Sequence, residues 1–126
     1  RSILSQRNVF IPLLTERNAL TDLDRKILNN LIEHMTSLPA GKPDLIIHLK
    51  VRPEVSLERI KNRNRPEEQD VQLDYLKRMD DLHEDWYKNS TIPVWYRDAE
   101  KPICISQLIT DINSFVLQDE CSGTQK

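Results

Sequence analysis

The sequence predicts an α/β protein built on a parallel sheet, and three observations carry that prediction. "DLIIHLKV", residues 44–51, is a nearly continuous apolar run rich in branched side chains. Such a run reads as a strand buried on both faces, as parallel sheets require. "IPVWYRDA", residues 92–99, reads as a second strand. Between them lie two stretches of helical periodicity separated by a loop. Strand, helix, loop, helix, strand is the pattern of a parallel crossover.

The elements follow in chain order. In "RSILSQRNVF", residues 1–10, Gln6 and Phe10 are four apart and share one helical face. From Leu20 to Met35, the residues Leu20, Leu23, Ile27, Leu28, Leu31 and Met35 recur at helical spacing, and "SLPAGKPD" breaks that helix. Pro53 suits the first turn of the next helix, with Val55, Leu57 and Ile60 facing inward. This helix should end before Pro66, because the residue preceding a proline is pushed out of the helical region. A further helix runs from about Val71 to Lys88 on the stripe Leu73, Leu76, Met79, Leu82 or His83, and Trp86. Asp74 and Arg78 are placed to pair on its solvent side. The last helix uses Ile105, Leu108, Ile109, Ile112, Phe115 and Val116. The tail, 119–126, is expected to be disordered, leaving 1–118 as part of one domain. There is no internal repeat. Two strands are few for such a sheet, so its central strands are expected upstream of Arg1, where the chain starts without a methionine.

The chain has 126 residues, enough for one domain with a core. Eighteen basic against twenty acidic residues leave a net charge of −2, which argues against general nucleic-acid or membrane-surface binding. No apolar run approaches membrane length. Cys104 and Cys121 lack metal spacing and suggest a reducing compartment. "AGKPD" contains Gly-Lys but is not a phosphate loop, since the upstream glycine is absent and proline follows the lysine.

Positive charge is concentrated in "ERIKNRNRPEE", residues 58–68, where Arg59, Lys61, Arg63 and Arg65 occupy alternate positions. No single helical stripe can hold all four. If the helix ends before Pro66, Arg63 and Arg65 lie on a loop, free to converge on an anion. The arginine fork suits phosphate oxygens, and a mobile arginine-bearing loop can close over a polyphosphate. A solvated helix end, with cations favoured by the C-terminal dipole, is the alternative. Glu67 and Glu68 could accept hydrogen bonds from a sugar or neutralise the neighbouring arginines. His34, His48 and His83 are widely spaced and read as structural, with no metal site expected. Gln6 and Phe10 could read and stack on a base, or be an exposed amide and a core aromatic.

Together "RSILSQRNVF", "DLIIHLKVRPEVSLERIKNRNRPEE" and "LDYLKRMDDLHEDWY" resemble the deoxynucleoside kinases of the thymidine kinase 2, deoxycytidine kinase and deoxyguanosine kinase type. The resemblance covers about Arg1 to Ala99. It implies a P-loop kinase-like three-layer α/β/α fold with a five-stranded parallel sheet, of which this chain would be the C-terminal portion, without the P-loop and the catalytic glutamate. Arg1 would help hold that carboxylate and the substrate 5′-hydroxyl. Phe10 would stack on the base, and Gln6 falls where members place a base-selecting residue, commonly Ala or Asp. Arg63 and Arg65 match lid arginines that contact donor phosphates, and Arg59 matches one near the adenine and phosphates. Glu68 matches the glutamate that bonds the sugar 3′-hydroxyl. Asp98, Ala99 and Glu100 fall in the adenine-contacting loop. Lys61 is expected to be merely solvated.

The implied reaction is transfer of the ATP γ-phosphate to the 5′-hydroxyl of a deoxynucleoside, in nucleotide salvage, with Mg²⁺ held mainly through phosphates and residues outside this chain. The expected partners are ATP and a deoxynucleoside, with a homodimer allowed and no nucleic acid or membrane. The expected location is intracellular, mitochondrial or cytosolic. Two rivals share the ancestry: a thymidylate kinase-like nucleoside-monophosphate kinase, which fits "RPEE" and "LHEDW" less well, and a non-catalytic complex I subunit, against which Arg63, Arg65 and Glu68 argue.

Overall fold

A computed structural model of the chain describes residues 2–38 and 43–122. The N-terminal stretch forms α1 (Ile3–Ser5), a π-helical turn (Gln6–Phe10) and α2 (Ile11–Glu16). Pro12 explains the wide turn. It has no N–H to donate to Asn8, and its ring would clash with that carbonyl in an α-helix. The Ile11 N–H bonds Gln6 O instead, five residues back. Val9, Ile11 and Leu13 from this segment are buried together with Ile32. They form most of the closed core.

Helix α3 (Asp22–Ser37) starts at a capping box. The Asp24 N–H donates to Thr21 Oγ1 at 3.1 Å, and the Thr21 N–H donates to Asp24 Oδ2 at 3.0 Å. Two orphan donors of the first turn are thereby satisfied, and Asp22 and Asp24 favour the positive helix end. The helix-breaking segment after α3 includes residues 39–42, outside the described residues.

Strands β1 (Ile46–Lys50) and β2 (Val94–Asp98) pair in parallel, with Ile46 opposite Val94 and Lys50 opposite Asp98. The crossover between them holds α4 (Pro53–Arg63), a 3₁₀ turn (Pro66–Glu68) and α5 (Leu73–Lys88). Pro53 opens α4 as expected. Asn64 closes it in the left-handed region, φ 49° and ψ 48°, its N–H bonding Ile60 O and Lys61 O. A short polar side chain tolerates that conformation, and Pro66 excludes a helical Arg65. Helix α5 covers one sheet face, where the His48 ring lies 4.8 Å from Tyr87 and 5.5 Å from Tyr96. Helix α6 (Ile105–Ser122) covers the other through Trp95 on Phe115 and Arg97 on Asp111. This layering is the α/β arrangement that the sequence predicts.

Four expectations are corrected. The first strand is not buried on both faces: α6 sits over β2, so Ile47 and Leu49 remain 43% and 47% exposed. The apolar stripe of α3 is split. Ile32 is buried, whereas Leu23, Ile27, Leu31 and Met35 are exposed. Arg78 does not pair with Asp74; it grips Glu16 of α2 at 2.6 Å, because α5 packs against the N-terminal segment. The last helix continues to Ser122, past the boundary expected at 118. Residues 123–126 lie outside the described residues. No described helix is long and apolar enough to cross a membrane.

Thr21→Ala should destabilise the protein by about 1 kcal/mol, the usual cost of losing an N-cap side chain, while Thr21→Ser stays near neutral. Urea denaturation should show a lower midpoint at unchanged slope. An unshifted midpoint would mean that tertiary packing alone holds the start of α3.

Candidate functional site

Parallel pairing puts the carboxyl ends of β1 and β2 side by side, and the chain continues from both into charged segments. In open α/β sheets this edge is where ligands bind. The Ala99 N–H bonds Lys50 O at 2.9 Å, extending the ladder into the loop after β2. Ala99 is buried. Asp98 Oδ1 accepts from the Glu100 N–H at 2.9 Å and shapes the turn.

Arg59 reaches this loop from α4. Its Nη2 donates to Ala99 O at 2.9 Å and to Glu100 O at 2.8 Å. The residues that the resemblance places around the adenine, Arg59, Asp98, Ala99 and Glu100, therefore form one hydrogen-bonded group. Arg52 completes it and was not singled out in the sequence. It donates from Nε and Nη2 to the two Glu100 oxygens at 2.6 and 2.9 Å, and from its backbone N–H at 3.1 Å. The Arg52 hydrogen bonds hold the Glu100 carboxyl below its ordinary range. Forty-eight positions separate the partners, so no local pattern could have revealed the pair. Beside it, Lys50, Arg52, Tyr96, Arg97, Asp98 and Glu100 line an open hollow of about 360 Å³.

The second group is the segment that the resemblance makes a lid. Arg63 is the last residue of α4 rather than a loop residue as expected, because the left-handed Asn64 ends the helix only after it; Arg65 stands at the N-cap of the 3₁₀ turn and Glu68 closes it. Arg63 donates to Glu68 through Nη2 at 2.6 and 2.8 Å and through Nε at 3.1 Å. Arg65 Nη1 stands 4.0 Å from the same carboxylate. Both arginines thus approach one internal anion, Glu68. Lys61 is exposed, as expected of a solvated cation. It also lines a hollow of about 240 Å³ with Leu57, Ile60, Asn64, Arg65 and Glu68.

Gln6 and Phe10 form a third group at the two ends of the π-helical turn, both half-buried. The turn packs on α5, as does α4. Helix α5 thus carries the base-facing candidates and the lid on one support. Arg1 lies outside the described residues.

His48, Asp80 and Glu84 bring one ligand atom each within 4.8 Å of one another. The grouping joins β1 to successive turns of α5 and was invisible to sequence spacing. Lys50 Nζ already bonds Glu84 Oε1 at 2.5 Å, so the cluster has an internal cation. His48 Nε2 is buried without a hydrogen-bond partner among the described residues. Burial, then repulsion from His83, holds the His48 imidazole below the usual histidine range. Burial also pushes the Tyr87 hydroxyl up to about 12.

The architecture is a parallel α/β crossover whose connecting segment carries the arginine cluster around Glu68. The chain matches the family model of the deoxynucleoside kinases across residues 1–120. It is 40% identical over 89 residues to a deoxyadenosine kinase of Dictyostelium discoideum, covering 69% of this chain and 36% of that protein. It is 33% identical over 95 residues to mitochondrial thymidine kinase 2 of Homo sapiens, 75% of this chain and 36% of the other. Against mitochondrial deoxyguanosine kinase of Xenopus laevis it is 30% identical over 132 aligned positions, 100% of this chain and 49% of the relative. The chain belongs to the deoxynucleoside kinase family. It spans about a third to a half of the length of the curated relatives it matches.

A half-buried histidine held below its ordinary range links stability to pH. The unfolded chain takes up a proton near 6.5, while folded His48 resists protonation until a lower pH. Its contribution is therefore fully present above 6.5 and is lost as pH falls below that value. The melting temperature should fall between pH 7.5 and 5.5, and His48→Phe should flatten that dependence. An equal slope in the variant would assign the loss to other groups.

Proposed function

We propose that the protein is an ATP-dependent deoxynucleoside kinase, transferring the γ-phosphate of ATP to the 5′-hydroxyl of a deoxynucleoside. The observation that carries this reading is the lid. Arg63, Arg65 and Glu68 meet at one point, next to the α4 arginine that grips the loop after β2. Phosphoryl transfer asks a protein for positioning and charge neutralisation more than for covalent chemistry, and this chain offers both.

Each residue then has a physical task. Arg63 and Arg65 neutralise charge on the donor phosphates, where a planar fork with fixed charge is best suited. Arg59 holds the Asp98–Glu100 loop by its carbonyls, so that the backbone there can frame the adenine. Glu68 accepts from the sugar hydroxyl. Phe10 offers a ring face to the base, and Gln6 an amide to its edge. Arg1 assists at the 5′-hydroxyl. The lid supplies cations rather than oxygen ligands, and the Glu68 carboxylate is held by Arg63, so these residues do not fit Mg²⁺. The ion would be carried by the phosphates. The relatives include mitochondrial enzymes, which supports the mitochondrial of the two settings expected, mitochondrial or cytosolic.

Steady-state kinetics on the full-length protein test the reading. Arg63→Ala and Arg65→Ala should lower kcat with little rise in the deoxynucleoside KM, because their contacts strengthen as charge develops. One charge-assisted hydrogen bond, about 1.5–3 kcal/mol, corresponds to roughly one to two powers of ten in rate. Glu68→Ala and Phe10→Ala should instead raise the deoxynucleoside KM, and Gln6→Ala should change the ratio of kcat/KM between pyrimidine and purine substrates. Unchanged kcat in both arginine variants would reduce the lid to a solvated helix end.

We also propose a homodimer joined through α3. Leu23, Ile27, Leu31 and Met35 form an exposed apolar stripe at four-residue spacing, the geometry by which two helices pack. Light scattering on the full-length protein should give twice the chain mass, and Leu31→Glu should give the monomer. A wild-type monomer would overturn the proposal.

A further inference from the structure

The lid carries its own anion. Glu68 presents both carboxylate oxygens to the Arg63 guanidinium, which binds them through Nη2 at 2.6 and 2.8 Å and Nε at 3.1 Å. A carboxylate and a phosphate offer a guanidinium the same pair of oxygens in the same plane. The fork that would bind a donor phosphate is therefore filled by an internal substitute. The pair is 49% and 25% exposed, and exposed ion pairs add little to stability. Its main consequence is occupancy: a phosphate arriving at Arg63 must displace Glu68. The backbone makes the contact local. The left-handed Asn64 ends α4 and the 3₁₀ turn from Pro66 brings Glu68 back over the helix end.

We infer that Glu68 is an internal competitor for the donor phosphate at Arg63, and that the acceptor sugar releases this competition. The inference rests on the kinase reading above, in which Glu68 takes a sugar hydroxyl. Glu68 cannot keep the full Arg63 fork while it turns to accept that hydroxyl. Acceptor binding thus frees Arg63 for the donor. Donor affinity should rise when the acceptor is bound, and acceptor affinity should rise by the same factor when the donor is bound. ATP alone meets a lid whose arginine is engaged, which limits its loss to water.

The test measures binding of Mg²⁺ with a non-hydrolysable ATP analogue to the full-length protein by calorimetry, without any deoxynucleoside. Glu68→Gln keeps the shape and removes the charge. It should tighten analogue binding about tenfold relative to wild type. Arg63→Ala should weaken it, and Arg63→Ala/Glu68→Gln should bind no better than Arg63→Ala alone. If Arg63→Ala weakens binding but Glu68→Gln does not tighten it, the competition is overturned while the kinase lid stands. Equal tightening by Glu68→Gln in the Arg63→Ala background would also overturn it, by showing a general charge effect. If Arg63→Ala leaves binding unchanged, the lid reading itself fails and the inference fails with it. A merely structural pair would alter the melting temperature of Glu68→Gln without tightening the analogue. Glu68→Ala repeats the comparison with no amide to bond Arg63.

Discussion

The parallel pairing of β1 with β2 is the constraint on which the rest of the molecule depends. Two strands running the same way cannot be joined by a tight turn; the chain must climb back over the sheet. The crossover from Val51 to Pro93 is that return path, and it contains α4, the 3₁₀ turn and α5. Because both strands end at the same edge, Lys50 lies opposite Asp98. The segments that follow, Val51–Pro53 and Ala99–Glu100, are then neighbours. Arg52 can reach Glu100, and Arg59 can reach the carbonyls beyond Asp98. A slip of β2 by one residue would turn its side chains to the other face. It would take Tyr96 off α5, and Trp95 and Arg97 off α6.

The cations of the crossover are deployed by geometry rather than by density. Arg52 serves Glu100, Arg59 serves two carbonyls, Arg63 serves Glu68, and Lys77 faces Glu54 across α4 and α5. A chain with net charge −2 can thus hold a local arginine concentration without broad self-repulsion. Most of these pairs are exposed and individually weak. Their value is directional, since a forked guanidinium on a carboxylate or on two carbonyls fixes where a loop sits. The Arg63–Glu68 contact joins two groups proposed to meet different substrates, with Arg65 standing 4.0 Å from the same carboxylate.

Support for the site comes from α5. One side carries His83 and Tyr87 against His48 and Tyr96 on the sheet. Others meet α4 and the π-helical turn, and Arg78 ties the helix to Glu16. The turn is forced by Pro12 and presents Gln6 and Phe10 half-buried over the closed core around Val9. Ile47 and Leu49 leave apolar surface open on the other side of β1.

The sequence by itself determined the elements, because their signals are local. The branched run around Ile46, Pro53 at a helix start, Pro66 after a helix end and the stripe from Leu73 to Trp86 each rest on a few neighbouring residues. It also determined the parallel crossover, since helices between two apolar strands leave few alternatives. The lid residues were legible as a cluster of types, and the resemblance attached roles to them. Tertiary structure decided the partners. Arg78 chose Glu16 over Asp74 because α2 lies within reach, and Arg52 met Glu100 only because the strands end together. The burial of Ile32 rather than Leu31 was decided by which side of α3 faced the N-terminal segment. Periodicity places residues on a face of a helix, but the face that is buried depends on what packs there. An ion pair across the fold depends on distances that residue spacing does not encode.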